Sequence, residues 1–159
     1  MKITVLAVGK IKEKFYTEAV REYAKRLSRY CELSIIEAED EPTPENASPR
    51  QEAQIKEKEG ERILAKIPSG ARVIALAIDG KAYDSVSLSK HLSELTLAGS
   101  SHLVFIIGGS LGLSDAVLSR ADEKISFSKL TFPHQLMRVI LLEQIYRSFR
   151  IARGEPYHK

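Results

Sequence analysis

The segment that most constrains the fold is an apolar run that ends in a cluster of glycines. Leu103 to Ile107 are five consecutive apolar residues, and three glycines follow within the next five positions, at 108, 109 and 112. Such a run predicts a β-strand that is buried on both faces, at the centre of a parallel sheet. Ligands bind beyond the carboxyl ends of such strands, and glycine lets backbone approach a ligand closely. The sequence therefore predicts a ligand site at this glycine loop.

Strands and helices are predicted to alternate along the chain. The predicted strands are Lys2 to Val8, Glu32 to Ala38, Arg72 to Ile78, Leu103 to Ile107 and Lys124 to Phe127. The predicted helices are Glu13 to Tyr30, Pro49 to Lys66, Ser87 to Ala98, Asp115 to Ala121 and His134 to Ile151. Because no linker or repeat divides the chain, we expect one domain spanning residues 1–159. The expected fold is α/β, with a mostly parallel sheet and helices on both faces.

The last predicted helix is apolar around most of its circumference. Its apolar residues are Leu136, Met137, Val139, Ile140, Leu141, Leu142, Ile145, Tyr146, Phe149 and Ile151. A small domain covers one face of such a helix, so another surface must cover the rest. A second copy of the chain is the simplest candidate, and we therefore expect a homodimer.

Composition excludes several classes of protein. No apolar run approaches the roughly 20 residues that span a bilayer, so no membrane segment is expected. The single cysteine, Cys31, cannot form an internal disulfide, which is typical of the cytoplasm. The four histidines lack zinc-ligand spacing, so no metal site is predicted.

The positive charge is concentrated at the C-terminal end. From His134 to Lys159 there are five basic and two acidic residues, which accounts for the net charge of +3. This pattern indicates a local anionic partner such as RNA or a phosphate, with Arg147, Arg150 and Arg153 as the candidate contacts. The alternative for these arginines is a solvated helix face.

The glycine loop does not match the known phosphate-binding fingerprints. It follows the fourth predicted strand rather than the first, and the acidic residues after it precede the next strand. A Walker loop ends in Gly-Lys-Ser or Gly-Lys-Thr, and this loop is not followed by such a sequence. An adenosine-type ligand against bare backbone remains open, as does a simple tight turn. Two functions are compatible with a nucleotide-type ligand at this loop. One is a non-catalytic nucleotide-binding factor of the ribosome, and the other is a dinucleotide-dependent oxidoreductase.

Several motifs together resemble a known enzyme family. They are Ala7-Val8-Gly9-Lys10, Asp79-Gly80-Lys81, Gly108-Gly109, Gly112-Leu113, Leu130-Thr131-Phe132-Pro133-His134, Arg138, Glu143-Gln144-Ile145-Tyr146-Arg147 and Pro156-Tyr157-His158. This combination resembles the SPOUT-class methyltransferases, and within them the RlmH type, which methylates ring nitrogen N3 of a pseudouridine in large-subunit (23S) ribosomal RNA. The resemblance covers essentially the whole chain.

The resemblance implies a fold, a cofactor and a set of site residues. The family fold is an α/β sheet with a C-terminal trefoil knot, and the family acts as a cytoplasmic homodimer on assembled ribosomes. Its methyl donor is S-adenosyl-L-methionine, bound in a bent shape within the knot. Carried over by motif, the donor site consists of Leu76, Gly108, Phe127, Ser128, Lys129, Leu130, Thr131 and Phe132.

The target nitrogen is an imide that must lose its proton, so a base or a stabilising cation should assist the transfer. The candidate catalytic residues are His158, Tyr157 and Arg138, with the tail of one subunit completing the site of the other. A frayed terminus is the alternative for the tail. The family often has arginine where this chain has Lys159, which keeps the charge but loses bidentate contact.

Overall fold

The computed structural model describes residues 1–159 and contains one five-stranded sheet. The strands are β1 (Lys2–Val8), β2 (Glu32–Ala38), β3 (Arg72–Ala82), β4 (His102–Ile107) and β5 (Glu123–Ser126). All pairings are parallel, in the order β2-β1-β4-β3-β5. The apolar run therefore forms the central strand, which confirms the prediction made from its composition.

The helices are α1 (Lys14–Leu27), α2 (Pro49–Lys66), α3 (Ser85–Leu97), α4 (Asp115–Arg120) and α5 (His134–Ala152). Side-chain caps set the starts of three helices, α2, α3 and α4. The sequence Ser48-Pro49-Arg50-Gln51 predicts a capping box at the start of α2. The structure confirms it: Ser48 Oγ accepts from Gln51 N at 3.2 Å, and Gln51 Oε1 accepts from Ser48 N at 2.8 Å. Helix α3 starts two residues earlier than predicted, because Asp84 forms the same arrangement with Ser87.

Helices cover both faces of the sheet, as predicted. One apolar core joins Leu103, Phe105 and Ile107 of β4 to residues of α1, α3 and α5. A second core joins Val104 and Ile106 to residues of α2 and α4. The alternating side chains of β4 thus enter two different cores, which is why its sequence is apolar without interruption.

Strand β3 is longer than predicted. Asp79-Gly80 was expected to end the strand at Ile78, but β3 continues to Ala82 across a register shift between Leu76 and Lys81. A Cβ at Gly80 would lie 2.7 Å from the backbone of Ile125. The glycine therefore lets β3 bulge against β5, rather than ending the strand.

Helix α5 has only one face buried within the chain. Leu141, Leu142 and Ile145 are at most 1% exposed. Leu136, Val139 and Ile140 are half-buried and belong to neither core. The chain therefore leaves an apolar stripe of these three residues on α5 uncovered. No helix is both long enough and apolar enough to cross a membrane.

Candidate functional site

A cavity of about 270 Å³ lies beside the bulge of β3, at Leu76–Ile78, and the carboxyl end of β4. The glycine loop forms one wall, and the segment Phe127–Phe132 forms the facing wall. Of the eight residues assigned to donor binding, seven line this cavity: Leu76, Gly108, Phe127, Ser128, Leu130, Thr131 and Phe132. Lys129 is exposed and does not line it. The structure thus brings together in one cavity segments that lie far apart in the sequence.

Close backbone packing shapes the glycine wall. A Cβ on Gly108 would lie 2.9 Å from the carbonyl carbon of Gly112 and 3.0 Å from a methyl group of Leu113. Gly112 has a φ of 86°, in the region that favours glycine. The loop therefore folds back on itself and presents bare backbone to the cavity.

A side-chain hydrogen bond between residues two positions apart holds the facing wall, Phe127–Phe132, in a turn. Ser128 Oγ accepts from Leu130 N at 2.9 Å. The Leu130 side chain is 70% exposed at the cavity, which places an apolar group where it could cover a bound ring. Serine in such a turn satisfies a backbone donor locally, so the segment needs no sheet partner.

Arg138 lies inside the protein rather than at the cavity. It is 1% exposed, and it donates to Glu37 Oε2 at 2.7 Å and to the carbonyl oxygen of Gly9 at 3.2 Å. The guanidinium joins α5 to the ends of β1 and β2. This arrangement fits a residue that positions the site through other groups.

The C-terminal tail folds back onto α5 instead of fraying. Tyr157 donates to Glu143 Oε1 at 3.0 Å, and Arg147 donates to Nδ1 of His158 at 3.1 Å. Burial and the Glu143 carboxylate raise the pKa of Tyr157 to about 12. The phenol therefore stays protonated at neutral pH. Neither Tyr157 nor His158 lines the 270 Å³ cavity of its own chain.

A second cavity, of about 350 Å³, shares Phe127 and Phe132 with the first and also contains Tyr83, Asp84 and Gln144. Gln144 Nε2 donates to Glu143 Oε2 at 2.8 Å, and Glu143 Oε1 accepts from Tyr157 at 3.0 Å. The tail of each chain is therefore tied to a residue that lines this second cavity.

Two of the three arginines expected to contact RNA already have partners inside the chain. Arg147 pairs with Glu143, and Arg150 pairs with Glu155 and also donates to the Pro156 carbonyl at 2.7 Å. Both therefore fasten the tail. Arg153 is exposed, with its guanidinium 4.7 Å from the centre of the Tyr30 ring.

Sequence reasoning missed two polar residues near the cavity. His134 lines it, and its Nδ1 atom is buried without a partner. Burial, followed by the charge of Arg138, lowers the pKa of His134. Glu59 is 5% exposed on α2, although the charged sequence around it is typical of a solvated face. Only the place of His134 as the last residue of the Leu130–His134 motif offered a sequence signal.

Comparison with known proteins identifies the family. The protein-family model described as "Predicted SPOUT methyltransferase" matches residues 1–158 of the chain. Proteins named ribosomal RNA large subunit methyltransferase H are 58% identical in Clostridium acetobutylicum, 61% in Bifidobacterium adolescentis and 59% in Clostridioides difficile. Each comparison covers 100% of both chains. The chain belongs to the SPOUT methyltransferase family.

Proposed function

We propose that the protein transfers a methyl group from S-adenosyl-L-methionine to ring nitrogen N3 of a pseudouridine in 23S ribosomal RNA. The observation that carries this proposal is the cavity between bare glycine backbone and the Phe127–Phe132 turn. Family membership supports methyl transfer, and the names of the relatives support large-subunit ribosomal RNA as the substrate. Action on assembled ribosomes would place the protein in the cytoplasm.

The donor's adenosyl group occupies this cavity in the proposal. Leu76 and Leu130 flank the adenine ring, while Gly108 and the backbone of Phe127–Phe132 bind its polar edge. The family further suggests that the C-terminal part of the chain threads through a loop to form a trefoil knot. Such a knot would hold the two walls at a fixed separation and bend the donor, and prebuilt geometry of this kind lowers the barrier to transfer.

The reaction forms an N3–CH3 bond and breaks the donor's S–CH3 bond, whose electron pair stays on sulfur, and the N3 proton passes to water. Alignment of the nitrogen with the methyl carbon is the main task of the protein. Tyr157 presents its phenol oxygen to the target base as a hydrogen-bond acceptor, because its single proton is donated to Glu143 Oε1 at 3.0 Å. His158 orients the base beside it, and Arg138 positions α5 from within.

The active unit in this proposal is a homodimer. The stripe Leu136, Val139 and Ile140 is the surface on α5 that a second copy would cover. Because Tyr157 and His158 lie outside their own donor cavity, the tail of one subunit completes the site of the other.

The RNA phosphates contact three basic residues, Arg153, Lys10 and Lys12. Lys10 and Lys12 follow β1, are exposed and form no ion pair within the chain.

The test is methyl transfer from labelled donor to ribosomes that lack the modification. We expect one methyl group per ribosome, located by mass spectrometry on a pseudouridine of the 23S RNA. Calorimetric titration with the donor and with NAD provides the second measurement. Binding of NAD but not of the donor would refute the proposal, and donor binding without transfer would favour a non-catalytic ribosome factor.

The role of the tail has its own test. Deletion of Tyr157–Lys159 should abolish methyl transfer while leaving donor affinity unchanged, because these residues lie outside the donor cavity. Substitution of Lys159 by alanine in the full-length chain is the control for the loss of the terminal charge alone. A truncated protein that methylates at the normal rate would show that the tail has no catalytic role.

A further inference from the structure

A small polar cavity of about 200 Å³ adjoins the donor cavity. The two cavities share Gly109, Ser110 and His134, so the smaller cavity continues the larger one past the glycine loop. Its other lining residues are Val8, Asp40, Glu41, Pro42, Thr43 and Glu59. We call it the acidic cavity, since three of these residues carry carboxylates.

Glu59 is the buried member of this set. Its residue exposure is 5%, and its Oε2 accepts from the backbone N of Glu41 at 3.0 Å. Oε1 accepts no hydrogen bond from the protein, and it lies 3.1 Å from the position that a Cβ on Gly109 would occupy. One carboxylate oxygen of Glu59 is thus unpartnered beside the glycine loop.

Glu59 forms no ion pair with a cation of the chain. Arg62 pairs with Glu41 Oε2 at 2.7 Å and donates to the Glu39 carbonyl at 3.0 Å, and Lys58 pairs with Glu41 Oε1 at 3.7 Å. Burial, with smaller effects of the Asp40 and Glu41 charges, raises the pKa of Glu59, and the hydrogen bond from Glu41 N and the charge of Arg62 only partly oppose this rise. His134, the other titratable group of the cavity, has a lowered pKa and therefore carries no compensating charge at neutral pH.

A buried carboxylate without a cationic partner is costly to the folded chain, and a bound cation would offset that cost. The donor carries a suitable group, because the methionine part of S-adenosyl-L-methionine ends in an α-ammonium and an α-carboxylate. A bent donor with its adenosyl group between the two walls can direct this end past Gly109. The cavity there is the right sign for the ammonium and is continuous with the adenosyl site.

We propose that the acidic cavity binds the amino-acid end of the donor, with Glu59 Oε1 accepting a hydrogen bond from the α-ammonium group. This inference rests on the proposed function only in that the donor is S-adenosyl-L-methionine. Asp40 adds a second negative charge at the same cavity, closer to solvent. Glu59 thereby selects for the intact amino acid rather than for the adenosyl group alone.

The test compares the donor with an analogue in which hydrogen replaces the α-ammonium group. By calorimetry the wild-type chain should bind the analogue about 10- to 100-fold more weakly, the range for one charge-assisted hydrogen bond. Glu59→Gln, which keeps an acceptor for Glu41 N, should bind donor and analogue equally. Glu57→Gln and Glu61→Gln remove exposed carboxylates from the same helix and should preserve the wild-type discrimination.

A purely structural role for Glu59 predicts a different result. Glu59→Gln would then weaken donor and analogue alike and lower the midpoint of urea unfolding of the free protein. The proposal predicts an unchanged or higher midpoint, because an uncompensated buried charge is removed. Equal binding of donor and analogue by the wild-type chain would overturn the proposal without any variant. Donor binding without methylation of ribosomes would overturn the proposed function alone.

Discussion

Arg138 stabilises the protein by joining three segments from a buried position on α5. Its partner Glu37 has a side chain that is 38% exposed, so part of that carboxylate remains hydrated without the arginine. Removing one member of a buried ion pair costs about 3–5 kcal/mol, and we expect the lower end of this range for Arg138→Ala. Urea unfolding followed by circular dichroism measures the loss.

The matched variant Arg138→Lys retains the positive charge but not the fork that reaches both Glu37 and the Gly9 carbonyl. It should lose less stability than Arg138→Ala. Unfolding midpoints within experimental error of wild type for both variants would contradict a structural role and would favour direct contact with substrate.

Gly108 is required because its α-carbon faces backbone at close range. An added methyl group at this position would force the Gly112 carbonyl carbon, 2.9 Å away, to move. Overpacking of this kind costs about 1–3 kcal/mol, and here the strain falls on a wall of the donor cavity. Gly108→Ala should therefore weaken donor binding about tenfold, as measured by calorimetry.

The control is Gly70→Ala. Gly70 has a positive φ of 75°, and nothing lies within 4 Å of an added Cβ. The substitution should cost about 1–2 kcal/mol of stability through backbone strain alone and leave donor affinity unchanged. Equal donor affinities for both variants and wild type would show that the glycine wall does not contact the donor.

At the scale of elements, α5 and the tail behave as one unit, tied by the Tyr157–Glu143 hydrogen bond. The phenol ionises near pH 10 in the unfolded chain and near pH 12 in the folded one. The folded state therefore holds the extra proton between these values, and its stability falls as the pH rises through that window. Absorbance titration should show one tyrosine ionising near pH 12, and Tyr157→Phe should remove that step.

Local signals predicted most elements, and tertiary contacts explain the exceptions. The uninterrupted apolar residues of β4 and the Ser48 box were sufficient to predict a central strand and a helix start. The β3 bulge depends on the approach of Ile125 to Gly80, which no local pattern encodes. The role of Glu59 could not be predicted for the same reason, because only the folded chain places this residue of α2 beside Gly109.

At the scale of the whole molecule, the donor cavity and the tail of one chain are separate, and only a second chain brings a tail to each cavity in our proposal. Two defective chains should then complement each other. One lacks Tyr157–Lys159, and the other carries Gly108→Ala with Leu130→Glu and cannot hold the donor. Each mixed dimer has one intact site of two, so isolated mixed dimers should regain about half of wild-type methyl transfer; the randomly paired mixture, in which half of the dimers are mixed, should regain about a quarter.

Co-expression with distinct affinity tags isolates the mixed dimers, and transfer to unmodified ribosomes is the measurement. The control adds Val139→Glu to the tail-less chain, which places a charge on the uncovered stripe of α5 and should prevent pairing. Sedimentation of this tail-less chain should then show a monomer, and its co-expression with the second variant should no longer restore methyl transfer. If the mixed dimers are no more active than the two parent variants, each subunit must use its own tail, and the tail must swing from Glu143 toward its own cavity during catalysis.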